Sequence, residues 1–174
     1  ERGHSMLEIR AISPEDRALV QSLLMEQWYE TQVIIRGERV ELAGAPGFIA
    51  REGGAFCGLV TYAIRAEECE ILSLNSLMEN EGIGTRLVHR VVEAARAAGC
   101  RKVKLITTND NIRAIRFYQK RGFDMARLYH NAMEVSRKLK PAIPETGLEG
   151  IPLKHEIEFV MDLQDGVSQG PAID

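Results

Sequence analysis

Long apolar runs are missing from this 174-residue chain. No stretch approaches the roughly 20 residues that a membrane-spanning helix needs, so no membrane association is expected. A surplus of positive charge is missing too. The 22 Lys and Arg stand against 25 Asp and Glu, a net charge of −3, so no whole-chain basic field favours nucleic acid. Cysteine is scarce and odd in number. Cys57, Cys69 and Cys100 form neither a Cys-x-x-Cys pair nor a zinc knuckle. Each sits in or beside an apolar stretch and reads as a small buried hydrophobe. This usage fits a reduced, cytoplasmic protein. No residue pair has metal-ligand spacing, so no metal is expected. The Gly-Lys-Ser/Thr of a Walker loop is also absent.

What is present is an ordinary globular composition, 45% hydrophobic and 27% charged, in a length suited to one domain. Glu1-Arg2-Gly3-His4-Ser5 before Met6 reads as a vector remnant. The expected domain spans 6–163, and 164–174 reads as a mobile tail. Leu7, Ile9 and Ala11 alternate with polar residues as in a half-buried strand. Ser13-Pro14-Glu15-Asp16 is a helix start, and the spacing turns Leu19, Leu23 and Leu24 inward. Residues 30–45 are ambiguous between strand and buried helix. Phe48 to Arg51 and Ala55 to Ile64, joined by Glu52-Gly53-Gly54, read as a hairpin. Cys69 to Leu77 is a further strand. A helix follows, with Ile83, Leu87, Val88, Val91, Ala94, Ala95 and Ala98 on one face and Gly99 as its stop. The strand of Val103, Leu105 and Ile106 should then run parallel to the one before the helix. Asn109 or Asp110 caps the next helix, which ends near Gly122. Phe123 to Tyr129 and Glu156 to Leu163 read as the last strands, with a short helix over Ala132 to Leu139 and a loop over 141–155. The order implies an α/β fold: a mixed, mostly antiparallel central sheet of six to seven strands, with a parallel strand–helix–strand core and helices on both faces.

Two segments carry chemistry. In Glu79-Asn80-Glu81-Gly82-Ile83-Gly84-Thr85, two glycines sit between a strand and a helix. Such a turn exposes unpaired amides at the positive end of the helix dipole and lets an anion approach the backbone. The third glycine of a dinucleotide fingerprint is replaced by Leu87. Taken alone, the turn serves equally well as a structural junction. On the next helix Asn111, Ala114, Phe117 and Tyr118 fall on adjacent turns. Ala114 permits close approach, Asn111 can bridge an amide-bearing ligand, and the Tyr118 phenol can give a proton to a departing thiolate. Taken alone, Phe117 and Tyr118 are ordinary core aromatics.

Together these segments resemble the GNAT N-acetyltransferase superfamily. The residues that carry the likeness are Leu74, Gly82-Ile83-Gly84, Asn111-x-x-Ala114-x-x-Phe117-Tyr118 and Gly122-Phe123, over residues 69–125. The resemblance implies acetyl-CoA as cosubstrate. Amides around Gly82, Ile83, Gly84 and Thr85 would hold its pyrophosphate. The strand edge at Leu74, Asn75 and Ser76, splayed from its neighbour, would pair with the pantetheine arm. Asn111, Ala114 and Phe117 would complete the cofactor site, and Tyr118 would be the general acid. Glu79 departs from the family, which places Gln or Arg there. Backbone amides should therefore dominate, with Arg86, Arg113, Arg116 or Lys120 supplying positive charge.

The reaction implied is acetyl transfer to a primary amine by direct attack, which needs a group to take the amine's proton. Glu68 and Glu70 alternate onto one strand face, and Glu70 is the first choice, ahead of His130 and His155. Trp28, Tyr29, Glu30 and the loop acids Glu145 and Glu149 are candidates to line the acceptor pocket. A small-molecule amine, a protein N-terminus and a lysine all remain open as acceptors, and the late strands leave a homodimer open. A non-catalytic acyl-CoA-binding regulatory module and a nucleotide-binding domain that shares only the glycine turn are the alternatives.

Overall fold

The computed structural model describes residues 7–28, 31–76 and 82–164, with backbone only at 27 and 28. The side chain of Trp28, together with Tyr29, Glu30, Glu79, Glu81, residues 1–5 and the tail beyond Gln164, lies outside the described residues.

Strand β1 (Leu7–Ala11) leads through a 3-10 turn at Pro14–Asp16 into helix α1 (Arg17–Trp28). The Asp16 carboxylate accepts from the Ser13 amide at 2.8 Å and from its hydroxyl at 2.9 Å, tying down the helix entry. Val20 and Leu24 are the fully buried residues of α1, whereas Leu19 is 37% exposed. Of the expected inward residues Leu24 is fully buried and Leu23 half-buried; only Leu19 departs, with Val20 buried in its place.

The ambiguous stretch is a hairpin, β2 (Gln32–Ile35) and β3 (Glu38–Glu41), forming its own two-stranded sheet. Its turn residues Arg36 and Gly37 both have positive φ, 49° and 74°, the geometry of a type I′ turn. The main sheet continues with β4 (Gly47–Glu52), β5 (Ala55–Arg65) and β6 (Glu68–Ser76). Helix α2 (Ile83–Ala97) leads to β7 (Lys102–Thr108), and α3 (Ile112–Lys120) to β8 (Asp124–Tyr129). Helix α4 (Ala132–Leu139) and β9 (Glu156–Asp162) complete the described elements. Strand order is β1-β4-β5-β6-β7-β9-β8. Among the described residues only the β6–β7 pair is parallel; the other pairs are antiparallel. This is the mixed, mostly antiparallel sheet anticipated, with seven strands.

The two faces bury separate cores. On one, Ile83, Leu87, Val88, Val91 and Ala95 of α2 and Tyr118 of α3 pack with Cys69, Ile71, Val103, Leu105 and Phe159. On the other, Val20 and Leu24 pack with Leu42, Ile49 and Leu59. Cys57, Cys69 and Cys100 are free and buried, and burial pushes the Cys69 thiol up to about 12. That suits a packing role and not a reactive thiolate. Among the described residues, no helix is long and apolar enough to cross a membrane.

The cap of α3 corrects the expectation. It is Asn111, whose Oδ1 accepts from the Ala114 amide at 3.1 Å. Asn109 and Asp110 pin the late loop instead. Asn109 Oδ1 accepts from the amides of Lys154 and His155, and Asp110 Oδ2 from the amide of Leu148.

Candidate active site

The site begins with a defect in the sheet. Between Thr61↔Ser73 and Tyr62↔Ile71 the β5–β6 register shifts, so Leu72 is an extra residue and β6 kinks there. The ladder to β7 runs from Glu68↔Lys102 to Ile71↔Leu105 and stops. Beyond that point β6 stays with β5 while β7 follows β9. The two parallel strands part, and one edge of Leu72–Ser76 turns towards the gap. The Thr61 and Ser73 hydroxyls hydrogen-bond at 2.5 Å, tying the kinked segment to β5.

The gap opens into a cleft of about 600 Å³. Leu74 and Ser76 line one side, Leu105 and Ile106 the other, and the start of α2 and the length of α3 form its walls. Gly82 precedes α2 with φ 73° and no side-chain cap, a left-handed conformation that favours glycine. A glycine at the N-cap offers no side-chain oxygen to the first-turn amides of Ile83, Gly84 and Thr85, which sit at the positive helix end. Gly84 serves closeness instead. A Cβ there would stand 3.4 Å from Phe117 Cζ and 3.9 Å from Leu74 Cδ2, so the glycine keeps the cleft open where α2 and α3 come together.

Helix α3 contributes Asn111, Arg113, Ala114, Arg116, Phe117, Tyr118, Lys120 and Arg121 to the lining. The anticipated cofactor residues Leu74, Ser76, Gly82, Ile83, Gly84, Thr85, Asn111, Ala114 and Phe117 thus meet at one cleft. Asn75 and Arg86 are not among its lining residues. Arg121 is a residue the sequence reading did not single out. Its guanidinium lies 4.1 Å from the Phe117 ring centroid, and its Nε donates to Thr85 Oγ1 at 3.0 Å. It latches the end of α3 to the start of α2 and adds charge to a wall that already carries Arg113, Arg116 and Lys120. In a low-dielectric cleft such a row favours a polyanion.

Tyr118 lies where the cleft meets the core. It is 7% exposed and packs edge-on to Phe117 at 5.1 Å and Phe123 at 5.5 Å. Burial raises its pKa above the ordinary phenol value, so the hydroxyl holds its proton at neutral pH.

On the opposite face Glu70 does not line the cleft. Its carboxylate is clasped by the Arg36 guanidinium at 2.7 and 3.0 Å. Glu68 is held by Lys104 at 2.7 Å and Lys102 at 3.1 Å. The side chains of Glu145 and Glu149 are exposed. His130 and His155 stack with ring centroids 4.8 Å apart, and His155 Nδ1 accepts from the Asn131 amide at 2.8 Å. Burial, with His130 and Lys154 adding to it, lowers the His155 pKa. A second residue the sequence reading missed is Glu156. It is 2% exposed, accepts from the Arg36 amide at 3.4 Å through Oε2, and has no hydrogen-bond partner at Oε1 among the described residues. A charged residue at the first position of a strand gives no sequence signal of burial.

Comparison with known proteins agrees with this geometry. The model of the acetyltransferase (GNAT) family matches residues 7–123. The uncharacterised Bacillus subtilis protein YxbD is 40% identical over 152 residues, 87% of this chain and 94% of its own. YdhI of the same organism, also uncharacterised, is 52% identical over 114 residues, 65% of this chain and 71% of its own. Among solved structures, a GNAT family acetyltransferase from Elizabethkingia anophelis with acetyl-CoA bound superposes with a TM-score of 0.64. It is 20% identical, with 90% of this chain and 98% of that one covered. With the family model matched over two thirds of its length and a relative 40% identical along most of it, the chain belongs to the acetyltransferase (GNAT) family.

Proposed function

We propose that the protein transfers the acetyl group of acetyl-CoA to a primary amine by direct attack. The observation that carries this reading is Tyr118, a buried phenol that keeps its proton and lies on the wall of the cleft. In the proposed complex the first-turn amides of Ile83, Gly84 and Thr85 hold the pyrophosphate. The edge of β6 around Leu74 and Ser76 pairs with the pantetheine arm in the manner of an added strand. Arg113, Arg116 and Lys120 neutralise the phosphates. The Elizabethkingia structure, with acetyl-CoA in the same fold, supports the choice of donor.

The thioester then lies where β6 and β7 separate. The amine nitrogen attacks the carbonyl carbon from the opposite face, a C–N bond forms, and the C–S bond breaks. Tyr118 gives its proton to the leaving thiolate and recovers one from the nitrogen through solvent. The acceptor is a small-molecule amine, a protein N-terminus or a lysine. Release of CoA thiol, followed with a panel of these amines, tests the reading. Tyr118→Phe should lower turnover about 100-fold with donor affinity unchanged; undiminished turnover would remove Tyr118 from the mechanism.

A further inference from the structure

Helix α3 and its C-terminal cap carry four cations, Arg113, Arg116, Lys120 and Arg121, and no acid from Ile112 onwards. All four line the cleft together with Gly82, Ile83, Gly84 and Thr85. Their surroundings differ. Phe117 and Arg121, four residues apart, form the row that meets α2. Gly84 comes close to the Phe117 ring. Arg121 Nε donates to Thr85 Oγ1 at 3.0 Å, and its Nη1 donates to the Phe117 carbonyl at 3.2 Å. Arg121 is therefore fixed at the start of α2.

Arg116 and Lys120 form the adjacent row, one residue earlier and about 100° round the helix. Both side chains are exposed, and among the described residues neither has a hydrogen-bond or ion-pair partner. Like charges one turn apart on an exposed helix face repel each other. The pair is unfavourable in the empty protein and becomes favourable when an anion sits between the two heads.

The donor of the acetyl-transfer reading carries two kinds of phosphate. Its pyrophosphate links two esters and bears one negative charge on each phosphorus. Its ribose 3′-phosphate is a terminal monoester, with a charge of about −1.5 to −2 at neutral pH and three free oxygens. The amides of Ile83, Gly84 and Thr85 and the fixed guanidinium of Arg121 suit the first, because they are donors held in place at one helix end. Arg116 and Lys120 suit the second. They are two unpaired charges on the same cleft wall, one row beyond the residues that touch α2.

We propose that Arg116 and Lys120 seat the ribose 3′-phosphate of the donor, so that the protein selects 3′-phosphorylated adenosine carriers over their 3′-dephosphorylated forms. This rests on the acetyl-CoA reading of the cleft and assigns a specificity to two of its residues. Arg121 serves the pyrophosphate and therefore both forms alike.

Calorimetric titration of the full chain with CoA, 3′-dephospho-CoA, adenosine 3′,5′-bisphosphate and AMP tests the proposal without turnover. CoA should bind at least about tenfold more tightly than dephospho-CoA, and the bisphosphate more tightly than AMP by a similar ratio. In the Arg116→Gln/Lys120→Gln variant both ratios should collapse towards one. In Arg121→Ala both forms of CoA should weaken together and the ratio should persist. The melting temperature of the ligand-free double variant should hold or rise, because the like-charge pair is gone. Should that variant fail to fold, the two single substitutions carry the same comparison, each lowering the ratio.

A ratio that survives the double substitution, or that collapses in Arg121→Ala instead, would overturn the proposal. The two readings fail separately. Equal binding of CoA and dephospho-CoA by wild type removes the seat and leaves the donor assignment standing. Binding of the bisphosphate in preference to AMP, with no binding of acetyl-CoA, supports the seat and removes the donor assignment. Binding of none of these ligands overturns both.

Discussion

On the α3 side of the sheet, the cleft is assembled from one continuous run of chain, β6 through α2 and β7 to α3. On the hairpin side, Arg36, Glu70 and Glu156 come from three distant parts of the sequence. The first side is basic, glycine-bearing and shaped by local turns. The second is acidic and shaped by tertiary contact alone. Recognition of a shared cosubstrate can be built from a short, local motif. The hairpin side instead depends on contacts that only the completed fold brings together, so the two sides are separable by mutation.

The sharpest break should come at Gly84. Gly84→Trp would drive a large side chain into the space shared with Phe117 and Leu74. Acetyl-CoA binding measured by calorimetry should disappear while the melting temperature changes little; retained binding would place the donor elsewhere. Next is Tyr118→Phe, with its loss of turnover about 100-fold at unchanged donor affinity. Arg121→Ala should be milder, weakening acetyl-CoA about five- to tenfold through loss of the latch to Thr85 and of one charge. An unchanged dissociation constant would reduce Arg121 to a packing residue.

Stability sharpens the comparison from another direction. Two buried carboxylates shift in opposite directions, because burial raises both but is outweighed at Asp16 by its hydrogen bonds. Asp16 is held well below the usual carboxylate range, first by its hydrogen bonds to the Arg10 guanidinium and then by the Ser13 amide. Its ionised form is favoured by folding, so its contribution is present above the unfolded carboxylate value and is lost as pH falls through the folded one. Glu156 is raised by burial. The folded state keeps its proton where the unfolded chain has lost it, so ionising Glu156 lowers stability as pH rises from the unfolded carboxylate value through the folded one. Glu156→Gln should therefore melt above wild type at alkaline pH, with the difference closing towards acid. Asp16→Asn should melt below wild type at neutral pH, with that difference also closing towards acid. A Glu156→Gln variant that melts lower at alkaline pH would show that its charge is compensated.

Much of the fold was legible because its signals are local. Gly99 stops α2, Gly53-Gly54 turns the β4–β5 hairpin, and the apolar stripe of α2 is buried at Ile83, Leu87, Val88, Val91 and Ala95, whereas Ala94 is half-buried and Ala98 exposed. The same holds for Gly82, Gly84 and the Asn111-to-Tyr118 helix. Where reading failed, tertiary contact decided among equals. Asn109, Asp110 and Asn111 are all good caps by type, and only the docking of the late loop shows that two of them are engaged elsewhere. Leu19 and Val20 are both apolar, and only the packing of α1 on Leu42, Ile49 and Leu59 shows that Val20 is the buried one. The β2–β3 hairpin was ambiguous because its strands are four residues each and pair only with one another. Glu156 was invisible for a simpler reason: a glutamate in an alternating strand reads as solvent-facing, and its burial depends on the hairpin and Arg36 above it.

The most direct test of the central claim is calorimetric titration of the full chain with acetyl-CoA, with ATP and NAD as controls. Selective micromolar binding of acetyl-CoA is the predicted result. No binding, or a preference for either nucleotide control, would contradict the assignment of the cleft.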